Sequence, residues 1–390
     1  MAVPAAINYD VEALREQQFP LANNTVYLNH AAISPLPRRT FDALQKANEH
    51  LMLDPSGGFE QFFMPRMTAF GEAIRALINA RSATEIVGVQ STSIGLNLVA
   101  QALPWKRGDN IVLADVEFPS NVYPWLRLQE QFGVEVRMIH NQPGMVLDEL
   151  SKLVDSNTRL VSASMLQFFT GHRTDLVAIG GFCREHHILF AVDGIQAIGH
   201  IPVDVQAMNI DILAAGGQKS LMGPPGQGFL YVREALANEM QPTIVGGNAV
   251  VDYIHWLKYD LTFQPGAARF SLGTSSITDM VGLLESVSFL RELGIANIDA
   301  HTTALAEMLI ERLREMGYTV LAPARHGSIV TFRAADTEEA TVALMEKLKA
   351  QRIFLAKQWT AQDVPYLRAS FHCYNNQTDI DRLLNALKEN

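Results

Sequence analysis

Between residues 85 and 232, short apolar runs alternate with amphipathic stretches, and this rhythm limits the fold more than any other feature of the chain. Apolar runs fit strands at 86–89, 111–114, 134–139, 160–163, 188–192, 210–214 and 229–232. Helical spacing falls between several of them, at 95–102, 122–132, 147–154 and 176–186. Strand, helix and strand in succession place the two strands side by side and parallel. The alternation therefore predicts an α/β domain with a mostly parallel seven-stranded sheet. The later chain reads as a smaller α+β unit. It has helices at 279–293 and 298–316, a strand at 328–333, a helix at 338–351, strands at 353–356 and 366–371, and a closing helix from Thr378. The expected organisation is an N-terminal segment, 1–25, packing with the small domain, a large domain, 26–275, and a small domain, 276–390. The Gly- and Pro-punctuated stretch from about 240 to 275 is expected to carry function or interface.

Of the 390 residues, 48% are hydrophobic and 18% charged, enough for a sizeable core. A net charge of −10 argues against nucleic acid as the main partner. No apolar run is long enough to span a bilayer, and the N-terminus lacks the basic-then-apolar order of a secretory signal. The expectation is a cytoplasmic protein without membrane or nucleic-acid partners. Two cysteines, Cys183 and Cys373, make neither a disulfide framework nor a metal-ligand spacing, so no metal is expected.

In open α/β sheets, ligands sit outside the carboxyl ends of the strands. Four features fall at such ends. Lys219 follows the run 210–215 and precedes the loop "GPPGQG", where a buried ammonium would be costly without a purpose. Asp193 ends the run "ILFAVD". Ser91, Thr92 and Ser93 stand between a strand and a helix, where hydroxyls and free N–H groups can hold a phosphate. Phe118 follows another strand in "ADVEFPSN". Singly, each has a plain structural use: Asp193 as a turn cap, the hydroxyls as a helix N-cap, Phe118 as core, Lys219 as a surface turn residue. Together they match one cofactor, pyridoxal 5'-phosphate. It needs a lysine for a Schiff base, a carboxylate for its pyridinium nitrogen, a phosphate cup and a flat stacking partner. Nucleotide motifs fail, because Gly217-Gln-Lys-Ser220 lacks the glycines of a phosphate-binding loop of that kind.

The stretch "AVDGIQAIGHIPVDVQAMNIDILAAGGQKSLMGPPGQGFLYV" resembles the signature of class V aminotransferases, within the fold-type I enzymes that use pyridoxal 5'-phosphate. That branch includes cysteine desulfurases, isopenicillin N epimerase-like proteins and kynureninases. "VYLNHAAISPLP", "ARFSLGTSS" and "LRASFHCYNNQTDIDRLL" extend the likeness over nearly the whole chain. It implies that Lys219 holds the cofactor and moves the substrate's Cα proton. Asp193 would pair with the ring nitrogen, Gln196 with the phenolic oxygen, and Phe118 would stack on the ring. Thr92 and Ser93 match phosphate-loop positions. Thr274 matches a residue reaching the phosphate of the neighbouring subunit, which implies a homodimer. Arg368 matches the arginine that grips the substrate α-carboxylate. Asn29 and His30 match a loop near the substrate, with a purely structural His30 equally open.

Departures narrow the activity. Gly216 and Gln218 stand where desulfurases usually carry Ser and His, so Gln218 inherits whatever that His does beside the cofactor. Phe168 stands where many relatives have asparagine. The segment "IFLAKQWTAQDVPYLR" contains no cysteine, whereas desulfurases carry their persulfide-forming cysteine there. Cys183 and Cys373 match no such position. The expected activity is a C–S lyase, transaminase or epimerase-like reaction without a persulfide cysteine. The alternatives are a cysteine desulfurase proper and, in another class, a non-catalytic protein of the same fold serving as a scaffold.

Overall fold

The structure is a computed structural model that describes residues 8–252, 254–255 and 257–389, so the first seven residues of the expected segment 1–25 lie outside it. A short strand β1 (Val26–Tyr27) precedes the main sheet of β2 (Ile86–Val89), β3 (Asn110–Ala114), β4 (Glu135–Ile139), β5 (Thr158–Ser164), β6 (Leu189–Asp193), β7 (Ile212–Gly216) and β8 (Gly228–Val232). Their spatial order is β2-β8-β7-β6-β5-β3-β4. Only β8 runs against the others, pairing antiparallel with both β2 and β7. The mostly parallel seven-stranded sheet predicted from the alternation is present.

Covalent linkage explains the exception. Residues 217–227 join β7 to β8 without a crossover helix, and a parallel neighbour would need one. β3, β7 and β8 are buried along their whole length, as strands covered on both faces must be. β4 closes one edge and carries Glu135 and Arg137, which pair with each other at 2.8 Å. Charges on an edge strand deter pairing with another chain.

The second sheet contains β9 (Thr319–Leu321), β10 (Ile329–Arg333), β12 (Ala356–Trp359) and β13 (Pro365–Ser370), preceded at β12 by the two-residue β11 (Ile353–Phe354). Its order is β12-β13-β10-β9, antiparallel throughout. Helices Ile295–Glu315, Glu338–Ala350 and Gln377–Lys388 share its core, in which Leu309, Phe332, Leu367 and Leu383 are fully buried.

Two segments cross the expected boundaries. β1 pairs in parallel with β11, and Val26 and Leu28 belong to the core of the second sheet. Helix Ile277–Leu293 packs on helices Arg38–Leu53 and Met64–Ile78, and Met280, Leu283 and Val287 join the core of the first. Apolar faces follow the surface that covers them, whatever side of a composition change they occupy. The expected strand 353–356 is split into β11 and β12, because its two ends pair with different sheets. Among the described residues, no helix is long and apolar enough to cross a membrane.

Candidate active site

Strand ends bring the site together. Asp193 is the last residue of β6, and Lys219 lies in the link after β7. Helix Thr92–Ala102 follows β2 and is capped by Ser91, whose Oγ accepts from the Ile94 amide at 3.2 Å. Phe118 comes just after β3 and heads the short turn Pro119–Asn121. The second sheet adds Arg368 from β13 and Gln358 from β12, and the N-terminal loop adds Ala31 and Ala32. These residues enclose a cavity of about 340 Å³.

Nine of the residues singled out from the sequence line it: Ser91, Thr92, Ser93, Phe118, Phe168, Asp193, Gln218, Lys219 and Arg368. Gln196 and His30 do not. The Gln196 side chain donates to the Ala31 carbonyl at 2.9 Å, and His30 bonds to Ser34 Oγ at 3.0 Å, so both face a small neighbouring space. His30 is also packed edge-on against Tyr27 and Tyr374. Asn29 lines neither space, because its backbone bridges to Ser370 at the edge of β13. Thr274 is exposed, in the loop before helix Ile277–Leu293, and stands apart from this chain's cavity.

Burial sets the electrostatics. Asp193 is 3% exposed, and desolvation pushes its carboxyl up to about 6, against the pull of the Ile195 amide and of Lys219. Desolvation also brings the Lys219 amine down to about 8, with Asp193 opposing and Arg368 adding to the fall. The Lys219 Nζ lies 4.9 Å from the centre of the Phe118 ring. Arg368 is buried and makes no ion pair among the described residues. Its Nη1 donates to the Phe168 carbonyl at 2.9 Å, its Nε has no partner, and burial lowers it to about 10. A buried guanidinium without a carboxylate calls for an anion from outside. Hydroxyls gather at the helix end: Ser93 and Ser120 meet at 2.7 Å, and Thr92 Oγ1 accepts from the Gly216 amide at 3.0 Å.

The chain belongs to the aminotransferase class-V family. Its family model matches residues 26–383. A probable cysteine desulfurase of Methanothermobacter thermautotrophicus is 33% identical over 298 residues, 75% of this chain and 73% of that protein. The apo structure of the cysteine desulfurase from Thermococcus onnurineus NA1 superposes with a TM-score of 0.88 at 25% identity, covering 100% of this chain and 99% of the other. The cystine C–S lyase C-DES, solved with its product cysteine persulfide, superposes with a TM-score of 0.86 at 26% identity, covering 95% and 99%.

The architecture is thus fold type I, the chain is an enzyme of a family that uses pyridoxal 5'-phosphate, and its residues fit that cofactor. An amine, a buried carboxylate, a flat ring and a hydroxyl-bearing helix N-terminus all face one space. Neither cysteine lines it. Cys183 is buried in helix Leu176–Glu185, and Cys373 is buried with its Sγ 3.9 Å from Met222 Sδ. Burial drives both thiols up, Cys183 to about 12.

Two residues escaped the sequence reading. Glu117 is buried beside Phe118, accepts from Asn121 Nδ2 at 3.0 Å and from the Ser164 amide at 2.9 Å, and is pushed up to about 7 by burial. An acid abutting an apolar strand was the signal for it. Gln358 had none, since its place depends on the pairing of β12 with β13.

Proposed function

We propose that the chain cleaves the C–S bond of a cysteine-type amino acid, with the sulfur leaving on a small molecule. The observation that carries this reading is a cavity with Lys219, Asp193 and Arg368 on its walls and no thiol. Bound pyridoxal 5'-phosphate supplies an electron-withdrawing ring that acidifies the Cα–H bond of an attached amino acid. Arg368 takes the α-carboxylate as the anion its guanidinium lacks. Lys219 would hold the cofactor at rest and, once freed by the substrate, would accept the Cα proton, a role that suits an amine whose burial disfavours the charged form. Asp193 would pair with the ring nitrogen and keep a proton there, while Phe118 would offer its flat face to the ring. Thr92 and Ser93 would cradle the phosphate at the helix N-terminus, with Gln218 on the same cavity wall. Gln196, which now donates to the Ala31 carbonyl, would have to turn from that bond to reach the phenolic oxygen, and the Asn29–His30 loop would stand behind it. Thr274, exposed in this chain, serves the cofactor phosphate of a second copy in a homodimer. A cytoplasmic location goes with the reading. The scaffold alternative has no support in a cavity that keeps all three charged groups.

The second reading is a cysteine desulfurase, and the names of the relatives favour it over the first. Products separate the two. Elimination from cysteine or cystine ends in pyruvate and ammonia, whereas desulfuration ends in alanine with sulfur on a protein thiol. The cofactor-loaded protein is incubated with each amino acid and the products are assayed. Pyruvate without protein-bound persulfide supports elimination. Alanine together with a sulfur adduct on the chain establishes the desulfurase.

A further inference from the structure

Among the described residues, two carboxamides that line the cavity, Gln218 and Gln358, make no hydrogen bond, and Gln358 is the one supplied by the second sheet. Gln358 is half-buried, lines the cavity, and its carboxamide makes no hydrogen bond to any described residue. Strand geometry explains why it faces inward. β12 and β13 pair antiparallel with Ala356 opposite Arg368 and Gln358 opposite Tyr366, so these four share one face of the sheet. The other face holds Lys357, whose Nζ lies 4.4 Å over the Trp359 ring and pairs with Glu338 at 2.9 Å. Ala356, paired with Arg368, adds little bulk to the face that Arg368 and Gln358 share, and both of those line the cavity.

The surroundings of Gln358 contrast with it. Phe118 and Phe168 meet edge to face at 5.1 Å, giving that wall an apolar, polarisable surface suited to a methylene and a sulfur. Phe168 also fixes Arg368 through its carbonyl. A free amide offers two donors and an acceptor, so it binds a carboxylate or an ammonium with little preference between them.

We propose that Gln358 is a specificity-determining residue, binding a polar head group beyond the sulfur of an S-substituted cysteine. The substrate class is then a cysteine whose sulfur bears a short arm ending in a hydrogen-bonding group. The proposal rests on the reading of the site as one that binds cysteine-type amino acids, but its test does not need the C–S bond to break.

The test compares three probes, S-carboxymethylcysteine, S-aminoethylcysteine and S-methylcysteine, on the cofactor-loaded protein. Dissociation constants come from calorimetry, alongside kcat/KM for thiol release. The unaltered protein should bind the two charged-arm probes within a few-fold of each other and more tightly than the S-methyl probe. Gln358→Glu, nearly isosteric, should favour the aminoethyl over the carboxymethyl probe by roughly 10-fold or more, since one is attracted and the other repelled. Gln358→Leu should remove most of the advantage of both over the S-methyl probe, a loss of about 10-fold. An unchanged carboxymethyl-to-aminoethyl ratio in Gln358→Glu overturns the proposal, as does an undiminished advantage in Gln358→Leu. If the ratios move as expected yet no probe releases thiol, Gln358 keeps its role and the cleavage reading falls.

Discussion

Lys219 shows how function opposes stability at a single residue. Without cofactor the residue is 8% exposed, and burial brings its amine down from 10.5 to about 8. The folded state therefore disfavours the charged form, and the sign of the linkage follows. Between about pH 8 and pH 10.5 the unfolded chain holds more protons at this site, so stability rises with pH across that window. Below it the penalty is fully present. Lys219→Met keeps the volume and removes the charge. The cofactor-free variant should be more stable than the parent at pH 7, by on the order of 2–3 kcal/mol, with the difference shrinking toward pH 10. Denaturant midpoints at pH 7 and pH 10 measure it, and turnover in the same variant should vanish. Equal midpoints at pH 7 would mean that the ammonium is already satisfied. The two cysteines allow a second test at this scale. Serine or alanine at both Cys183 and Cys373 should leave kcat within a few-fold once folding is confirmed, because neither thiol reaches the cavity. Loss of turnover in a folded double variant, with a sulfur adduct on Cys373 of the parent, would return the chemistry to the protein thiol.

Among elements, the β7–β8 pair governs where Lys219 stands. Gly228 begins β8 directly against the end of β7, and a Cβ there would lie 2.3 Å from the Ala215 carbonyl oxygen and 2.8 Å from Gly216 Cα. Both obstacles are backbone, so neither can turn aside. Gly228→Ala should cost about 1–3 kcal/mol and weaken cofactor binding as well, since it spreads the strands that anchor the lysine link. Thermal unfolding and cofactor titration check the two effects, and an undisturbed cofactor affinity would show that the link is held elsewhere. The main sheet was legible because buried parallel strands declare themselves as separate apolar runs, and Asp193 and Lys219 stand where such runs stop. Helices Arg38–Leu53 and Met64–Ile78 were missed because they precede the first such strand and no alternation frames them. β9 is too short to show a period. The turn of Gln358 into the cavity and of His30 into the neighbouring buried space follow from pairing and tertiary hydrogen bonds, which no local pattern encodes.

At the scale of the whole molecule, the loop before helix Ile277–Leu293 leaves Thr274 exposed, and Leu257, Tyr259 and Leu261 nearby in sequence are exposed too. If a second copy covers this region, Thr274→Val should lower cofactor affinity several-fold, and sedimentation should show a dimer that dissociates only with loss of activity. A fully active monomer would dispose of the idea. The site itself draws on chain segments near residues 31, 92, 193, 219 and 368, and the last of these lies close to the C-terminus. Order of synthesis therefore matters. Helix Ile277–Leu293 completes the core of the main sheet, so a nascent chain can shape the cofactor's cradle once that helix has left the ribosome. Only when β12 and β13 follow does it gain the buried guanidinium of Arg368 on the cavity wall. On the proposed reading, the growing polypeptide would for that interval hold the amine and the cradle without the group that chooses what enters.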